Sequence, residues 1–163
     1  MLPWAAAIAA AVALFVSGAS YLTNRDLASQ LSEQSASVSA LETVQRATLE
    51  LTADPGARRV ELASTTGDDE MVGTLLFSPS TSKLLVVAYD LTKPPSGQEY
   101  RCWVEIDGQR HNVGKMFFAG ELAFWVGQTP EAATFPAGAT FGVSPTAVGS
   151  PSLEADPVIT GQL

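Results

Sequence analysis

The chain contains one cysteine, Cys102, and one histidine, His111. A lone cysteine cannot form an intrachain disulfide, and a single thiol cannot supply a cysteine-based zinc site. Because Cys102 stands beside Trp103 in a strand-like run, we interpret it as a small buried apolar residue rather than a reactive thiol. Without a second imidazole, His111 is interpreted as a solvated or hydrogen-bonded strand residue rather than a metal ligand or general base.

The carboxylates show no catalytic arrangement in the sequence. Asp68-Asp69-Glu70 lacks the alternating ligand spacing of a calcium loop and is better explained as a solvated turn. Glu99 and Glu105 have no spacing that would separate an acid from a base. The sequence also lacks a glycine-rich phosphate loop, a nucleophile elbow and a histidine-based triad. We therefore expect a non-enzymatic protein with no catalytic, cofactor-binding or metal-binding residues.

Length and charge limit the remaining classes. The 163 residues suffice for one domain with a core and an appended helix, but not for two ordinary domains. Nine Lys and Arg residues against 17 Asp and Glu residues give a formal net charge of −8. Such a chain repels phosphate backbones, which argues against nucleic acid as a partner.

The N-terminal segment has the properties of a membrane span. No residue from Leu2 to Tyr21 is charged, and the apolar stretch has about the length needed to cross hydrocarbon. We predict a transmembrane helix over residues 1–23, which makes the lipid bilayer a partner, with Trp4 and Tyr21 at the interfaces. The alternative is a signal peptide cleaved near Ser17-Gly18-Ala19. Because the span starts almost at the first residue, we expect that a cytoplasmic portion has been removed or is encoded separately.

Residues 24–53 are predicted to form a helical stalk. The segment from Asn24 to Ala47 contains neither Gly nor Pro, and Asp54-Pro55-Gly56 ends the helical pattern. Apolar residues follow a 4-3 spacing that polar residues interrupt; the apolar positions are Leu27, Leu31, Val38 and Leu41, and the polar ones are Gln34, Gln45 and Thr48. Two alternatives remain open: the stalk packs on its own domain, or it forms a short coiled coil in a homodimer.

From residue 54 to residue 163 the sequence period changes to two. Short runs rich in strand-forming residues alternate with Ser-, Pro- and Gly-rich clusters, without an intervening helical pattern. This predicts an all-β domain, an antiparallel two-sheet β-sandwich. The predicted strands are Arg58–Ala63, Met71–Phe77, Lys83–Tyr89, Glu99–Ile106, Gln109–Phe117, Glu121–Val126, Ala139–Ser144 and Val158–Gln162.

Asp107-Gly108 predicts a two-residue hairpin turn, because both central positions of a type I′ turn need positive φ. The alternation around this turn gives the expected inward positions, which are Leu85, Val87, Tyr100, Cys102, Val104 and Ile106. Trp103 falls on the opposite, otherwise polar face, so the second sheet, a loop or a partner must cover it. We expect the large aromatics to be core residues rather than an exposed binding strip; they are Trp103, Phe117, Phe124 and Trp125.

A set of short motifs is distributed between Gly73 and Leu163. Its members are Gly73–Leu75, Leu84–Val87, Leu91, Pro94–Trp103, Asp107-Gly108, Gly114, Phe117 and Ser144–Thr146. The most distinctive feature is a proline-glycine turn that leads into Tyr-x-x-Trp and then into the Asp107-Gly108 hairpin. Through these positions, residues 73–163 resemble the C-terminal, extracytoplasmic domain of anti-sigma-K factors. One departure concerns residues 142–146, Gly-Val-Ser-Pro-Thr here, where the family commonly has a Glu-Pro-Gly-Gly-like stretch before its Pro-Thr.

The resemblance implies a bacterial single-pass membrane protein whose β domain lies outside the cytoplasm. It implies a regulatory or sensory module that controls sigma-factor release through regulated proteolysis, with membrane-associated proteases as partners. The sigma factor would bind a cytoplasmic part that this sequence does not contain, so no residue here is assigned to that contact. The alternative function is an anchored or secreted ligand-binding β-sandwich unrelated to sigma factors.

Overall fold

The computed structural model describes residues 34–67 and 71–163. Contacts between Cα atoms divide the chain into two units, Met1–Ser39 and Ala40–Leu163. Residues 34–52 are α-helical, and we call this helix α1. The predicted transmembrane helix over 1–23, and the Asp68–Glu70 run, lie outside the described residues. Within the described ranges, no helix has the length and apolar content needed to cross a bilayer.

In the described part of the chain nine strands follow α1, and all of them pair in antiparallel fashion. Their order in the sheet is β5-β4-β8-β9-β1-β2-β3-β7-β6. The all-β prediction is confirmed, and seven of the eight predicted strands are found with small changes at their ends, whereas Gln109–Phe117 is divided. The strands are β1 (Arg58–Ser64), β2 (Met71–Ser78), β3 (Lys83–Ala88), β4 (Gln98–Ile106), β5 (Gln109–Lys115), β6 (Phe117–Ala119), β7 (Leu122–Gln128), β8 (Thr140–Ala147) and β9 (Ile159–Gln162).

The predicted division into two sheets is not found, because one stretch of chain connects the two ends of a single sheet. Residues 109–115 pair with β4, and residues 117–119 pair with β7. Between them, the backbone N–H of Met116 donates to the carbonyl of Tyr100 at 3.0 Å. The Met116 side chain is buried. The sheet therefore curls into a nearly closed barrel, and the predicted strand Gln109–Phe117 is two strands that meet at Met116.

A β-bulge in β5 prepares this change of partner. Cys102 pairs with Gly114 and Trp103 pairs with Asn112, so Val113 is an extra residue in the ladder. Such a bulge bends its strand and increases its twist. Gly114 then lets β5 approach β7, because a Cβ at this position would lie 2.1 Å from the Trp125 ring. The bulge and the glycine together bring the two ends of the sheet into contact.

The interior of the barrel is apolar and includes Ala132 of a short 3₁₀ helix, Pro130–Thr134. Phe135, just after this helix, meets Phe77 edge to face with ring centroids 5.7 Å apart. Such aromatic pairs add to the stabilisation from burial alone. Large side chains of the interior include Leu62, Leu75, Phe77, Leu84, Met116, Trp125, Phe135, Phe141 and Ile159.

β3 is buried on both faces, which corrects two of the expected inward positions. Leu84, Val86 and Ala88 point into the barrel, whereas Leu85 and Val87 lie on the outer face in a separate apolar cluster. A continuous apolar run such as Leu84–Val87 is typical of a strand covered on both sides. The other expected inward positions are confirmed, since Tyr100, Cys102, Val104 and Ile106 all belong to or pack against the interior.

The aromatic predictions are confirmed for both tryptophans. Trp103 and Trp125 are buried, with 1% and 8% exposure. Phe124 is half-buried, and its ring centroid lies 6.2 Å from that of Phe117. Phe117 itself is exposed, so its placement in the core was wrong. Phe117 begins the short strand β6, and about half of its surface is exposed to solvent.

The predicted hairpin turn is confirmed. Asp107 and Gly108 have φ angles of 52° and 76° between β4 and β5. Both values lie in the left-handed region that a type I′ turn requires. A Cβ added at Gly108 would meet no atom within 4 Å, so the turn selects glycine through backbone conformation alone.

Replacing Gly108 by Val should destabilise the domain by about 1 kcal/mol or more, because a β-branched residue resists positive φ. Urea unfolding of the full chain, followed by tryptophan fluorescence, measures the change. Gly108→Asn is the matched control, since Asn tolerates the left-handed region, and it should lose clearly less stability than Gly108→Val. Equal losses in the two variants would contradict the conformational explanation.

Candidate functional site

Within the second unit, α1 packs on the outer face of the sheet. This contact is the candidate functional surface. Ala47 and Leu51 are 2% and 1% exposed, and they pack with Leu85 of β3. Val44, Leu76, Val87 and Val126 border the same cluster. Helical residues at spacings of three and four share one face, so Val44, Ala47 and Leu51 form the docked face of α1. The small side chain of Ala47 lets the helix lie close to the strands.

A polar anchor fixes the C-terminal end of α1. Asp54 follows the helix, and its carboxylate accepts hydrogen bonds from the hydroxyls of Ser78 and Ser80 and from the backbone N–H of Gly56. The Ser80 and Gly56 distances are 2.5 and 2.8 Å. Ser78 is fully buried at the end of β2. The end of the helix is thus attached to the β2–β3 hairpin.

These hydrogen bonds lower the pKa of the Asp54 carboxyl. Bonds from Ser78, then Ser80, then Gly56 stabilise the carboxylate and lower its pKa below the ordinary value of 3.8. The favourable contribution is fully present above pH 3.8 and is lost as the pH falls through the lowered pKa of the folded protein. The anchor is therefore intact at neutral pH and is weakened by strong acid.

An ion pair adds a second link between the same elements. Lys83, the first residue of β3, pairs with Glu50 of α1. The Glu50 side chain is half exposed, and exposed pairs of this kind contribute little stability. The pair therefore helps to align the helix, while the buried leucine and the Asp54 anchor provide most of the attachment.

The predicted 4-3 seam of the stalk does not make the docking contact. Val38 and Leu41 are 59% and 61% exposed, and Leu27 and Leu31 lie outside the described residues. Packing of the stalk on its own domain is confirmed for the C-terminal part of α1, but it uses Val44, Ala47 and Leu51 instead. The helix thus has an apolar docked face and a second, exposed apolar face.

A second contact surface lies on the outside of β4 and explains how Trp103 is covered. The indole lies over Gly142 of β8, where a Cβ would be 2.2 Å from the ring. The indole N–H donates to the Ser144 hydroxyl at 2.9 Å, and that hydroxyl donates to the Ala155 carbonyl at 3.0 Å. The β8–β9 connection therefore covers Trp103, as the loop alternative expected.

Arg110 holds this cover in place. Its guanidinium carbon lies 4.1 Å from the Trp103 ring centroid. The same group donates to the carbonyls of Leu153 and Ala155 at 2.6 and 2.9 Å, and its Nε lies 3.3 Å from Glu105. An open groove of about 770 Å³ separates the β4–β5 hairpin from residues 151–154. Because Arg110 is already engaged, the groove offers no free cation to a ligand.

The residues considered for chemistry are dispersed. Cys102 is fully buried, and burial raises the pKa of its thiol far above the ordinary range. His111 is exposed on β5, opposite Val104 in the ladder. Among the described residues, no three His, Cys, Asp or Glu side chains converge as metal ligands.

Glu99 and Glu105 lie on β4 in separate ion pairs. Burial of Glu99 opposes its ionisation, but Arg101 and Lys115 outweigh that effect and lower its pKa. The Arg101–Glu99 and Lys115–Glu99 distances are 2.5 and 3.4 Å. Glu105 pairs with Arg110 instead. The structure does not bring the two carboxylates together as an acid and a base.

Sequence reasoning missed several of the residues that make these contacts. The docked face of α1 was signalled by the spacing of Val44, Ala47 and Leu51, but the alanine weakens the apolar pattern. Ser78-Pro79-Ser80 carried only a turn signal, and nothing local linked it to Asp54, 24 residues earlier than Ser78. Arg110 gave no sequence signal for its position over Trp103.

The fold is a small antiparallel barrel, and the helix that precedes it packs on its outer face. The chain belongs to the family described as anti-sigma-K factor rskA, C-terminal, whose model matches residues 4–152. This confirms the resemblance seen in the sequence and extends it upstream of Gly73. No curated protein and no solved structure matches the chain. The family supports an anti-sigma factor-like regulatory role and, in general, interaction with sigma factors.

Asp54→Asn should weaken the attachment of α1 at neutral pH, because the amide loses the charge that the three donors stabilise. Stability against urea, measured from neutral pH to below pH 3.8, should differ most between wild type and variant at neutral pH. The difference should shrink in acid, where wild-type Asp54 is also neutral. Glu121→Gln removes an exposed carboxylate elsewhere and is the control. A difference that is independent of pH would contradict the role of the ionised carboxylate.

Arg110→Ala should loosen the cover over Trp103, because it removes two charged hydrogen bonds and the stacked guanidinium, at a cost of about 1.5 to 3 kcal/mol. Amide hydrogen exchange of residues 150–157 should become faster, and acrylamide should quench the tryptophan fluorescence more strongly. Arg59→Ala removes an exposed arginine on β1 and should change neither measurement. Unchanged exchange in Arg110→Ala would show that the hydrophobic contacts alone hold the cover.

Proposed function

We propose that this chain is the membrane-anchored, extracytoplasmic regulatory domain of an anti-sigma factor, and that it controls sigma-factor release through regulated proteolysis. The observation that supports this proposal best is the docked face of α1. Ala47 and Leu51 are buried against Leu85, and Asp54 is attached to the β2–β3 hairpin. The segment that joins the predicted membrane span to the barrel is thereby covered by the barrel itself.

Coverage of this kind controls access for a protease. A protease cleaves a segment that opens locally, and the rate follows the free energy of that opening when reclosing is fast. The whole of residues 40–52 opens only when Leu51 has left its apolar site and the Asp54 hydrogen bonds have broken. Upstream of Ala40 the described part of the helix has an exposed apolar residue, Val38. We infer that the first cut falls before Ala40, and that undocking of α1 extends the accessible region toward Asp54.

The remaining steps follow from the family. Membership of the anti-sigma-K factor family supports a membrane location, with the span in residues 1–23 and the barrel outside the cytoplasm. A cut outside the membrane would prepare a second cut within the span by a membrane-associated protease, and the cytoplasmic part would then release its sigma factor. The sigma-binding residues belong to that cytoplasmic part.

A non-enzymatic role is part of the same proposal. Cys102 is buried, while Glu99 and Glu105 are held in ion pairs with arginines. A catalytic nucleophile or base needs access to substrate and a proton acceptor within reach. These three side chains are instead committed to packing or to charge neutralisation. In this proposal, regulation therefore depends on whether the barrel covers the docked face of α1.

Limited proteolysis of the full chain in membranes tests the proposal. Leu51→Ala should cost roughly 2 kcal/mol or more at the docked face, which should speed cleavage within residues 40–52 by about tenfold or more if opening limits the cut. Leu49→Ala is the matched control, because Leu49 is two positions away on the helix and 63% exposed. First cuts inside the strands, or equal cleavage of the two variants, would contradict control by docking. Protease added to intact spheroplasts tests the orientation, since a barrel facing the cytoplasm would be protected.

A further inference from the structure

The connection between β3 and β4 crosses one end of the barrel without helix or strand. We call residues 89–97 the strap, and we call the end that it crosses, where β3 ends and β7 begins, the mouth. The strap is tied at both ends, since the Tyr89 N–H donates to a β2 carbonyl at 2.6 Å and the Gly97 carbonyl accepts from the β8–β9 connection at 3.0 Å. Within the described part of the chain, residues 90–94 make no backbone hydrogen bond. The middle of the strap can therefore open locally at low free energy.

One apolar side chain holds the middle of the strap. Leu91 is half-buried and packs against the apolar interior of the barrel. Tyr100 and Phe118 border the same part of the interior, and their ring centroids lie 6.1 Å apart. Leu91 therefore acts as a plug, in a place that an apolar group of similar size could occupy.

The residue before the plug has a strained backbone. Asp90 has a φ of 58°, in the left-handed region that costs energy for residues other than glycine, although Asp tolerates it better than most. Such conformations are concentrated in ligand clamps and switch segments. When Leu91 leaves the mouth, Asp90 is free to relax, which lowers the free energy needed to open the strap.

Open cavities lie on both sides of the plug. One has a volume of about 210 Å³ and is lined by Val72 and Tyr100 together with residues 90–92. The other has a volume of about 340 Å³ and is lined by Phe118 and Glu121 together with the same strap residues. Residues 90–92 thus form the wall between the two cavities. When the strap lifts, the cavities join into a space of the size usual for small-molecule sites, roughly 300–1,000 Å³.

The charges at the mouth favour a cation. Asp90 and Glu121 line the cavities, and neither forms an ion pair with another described residue. Among the described lining residues, Lys93 is the one basic side chain. The net charge of the chain is −8, so its field attracts cations and repels anions. The faces of the aromatic rings at the mouth also attract a cation.

We propose that the mouth binds a small amphipathic organic cation, with an aromatic or branched aliphatic body and one ammonium group. The body takes the place of Leu91 against Tyr100 and Phe118, and the ammonium group pairs with the carboxylates of Asp90 and Glu121. Binding exchanges an internal plug for a ligand and lifts the strap. The site shares no residue with the docked face of α1, so it goes beyond the control of proteolysis.

Titration of the full chain in phosphatidylcholine nanodiscs with three probes of similar shape tests this site. Phenethylamine, 2-phenylethanol and phenylacetate each carry a phenyl ring on a short chain, and they differ in charge. Phenethylamine should shift the amide NMR signals of residues 90–92, Tyr100 and Phe118, and should bind at least about threefold more tightly than the neutral alcohol. Phenylacetate should shift none of them. Equal binding of the three probes would overturn recognition of a cation, and the absence of any shift at the strap would overturn the site.

Leu91→Ala distinguishes a plug from a residue with a purely structural role. Without the plug, the cost of opening the strap no longer reduces the apparent affinity, so phenethylamine should bind about tenfold more tightly. If Leu91 only stabilised the mouth, its loss would leave binding unchanged or weaken it. Either of these results would overturn the exchange of plug for ligand.

Asp90→Asn tests the carboxylate without changing the backbone, because Asn also tolerates the left-handed region. It should weaken phenethylamine binding about threefold and leave binding of 2-phenylethanol unchanged. Asp107→Asn is the matched control, since Asp107 also has a positive φ, 52°, in the β4–β5 turn, and it should change neither. Equal effects of Asp90→Asn on the amine and the alcohol would overturn the pairing with Asp90. Cleavage of Leu51→Ala is measured without any probe, so the two proposals can fail separately.

Discussion

The fold depends on one stretch of backbone changing its hydrogen-bonding partner. Residues 109–115 belong to one end of the sheet order and residues 117–119 to the other. Met116 occupies the change-over, with its N–H bonded to Tyr100 and its side chain in the interior. Without this turn the sheet would be open, and each end would present unpaired backbone groups to solvent. Because the ends meet, the apolar faces of nine strands enclose a common core.

Closure of the barrel buries the apolar residues of the interior, but some apolar residues lie on its outer face. Two other elements of the chain cover them. α1 covers Leu85 and its neighbours, and the β8–β9 connection covers Trp103 with the help of Arg110. Glycine at position 142 is required for the second cover, since the indole occupies the place of a Cβ. Both covers are held by few polar contacts, which distinguishes them from the cooperative interior.

Much of this architecture was readable from residue patterns. Alternation identified the strands and the interior positions of β4, and Asp107-Gly108 identified the hairpin, because these signals are local. The outward placement of Leu85 and Val87 could not be predicted. In a continuous apolar run no polar residues mark which face points into the barrel and which lies under the helix. The closure at Met116 was also hidden, because a bulge at Val113 interrupts no sequence pattern. The bonds from Asp54 to Ser78 and Ser80 depend on the fold that brings them together.

The position of β1 in the sheet determines how the domain responds to force applied through α1. Asp54-Pro55-Gly56 connects the helix to β1, which is paired on both sides, with β2 and β9. Tension entering from the N-terminal side meets the docked helix first and can detach it one contact at a time, from Val44 toward Leu51. The Asp54 bonds come next, and only then does the load reach β1, whose ladders must be sheared together. The chain is thus built so that a pull yields at the helix, while the barrel keeps its shape.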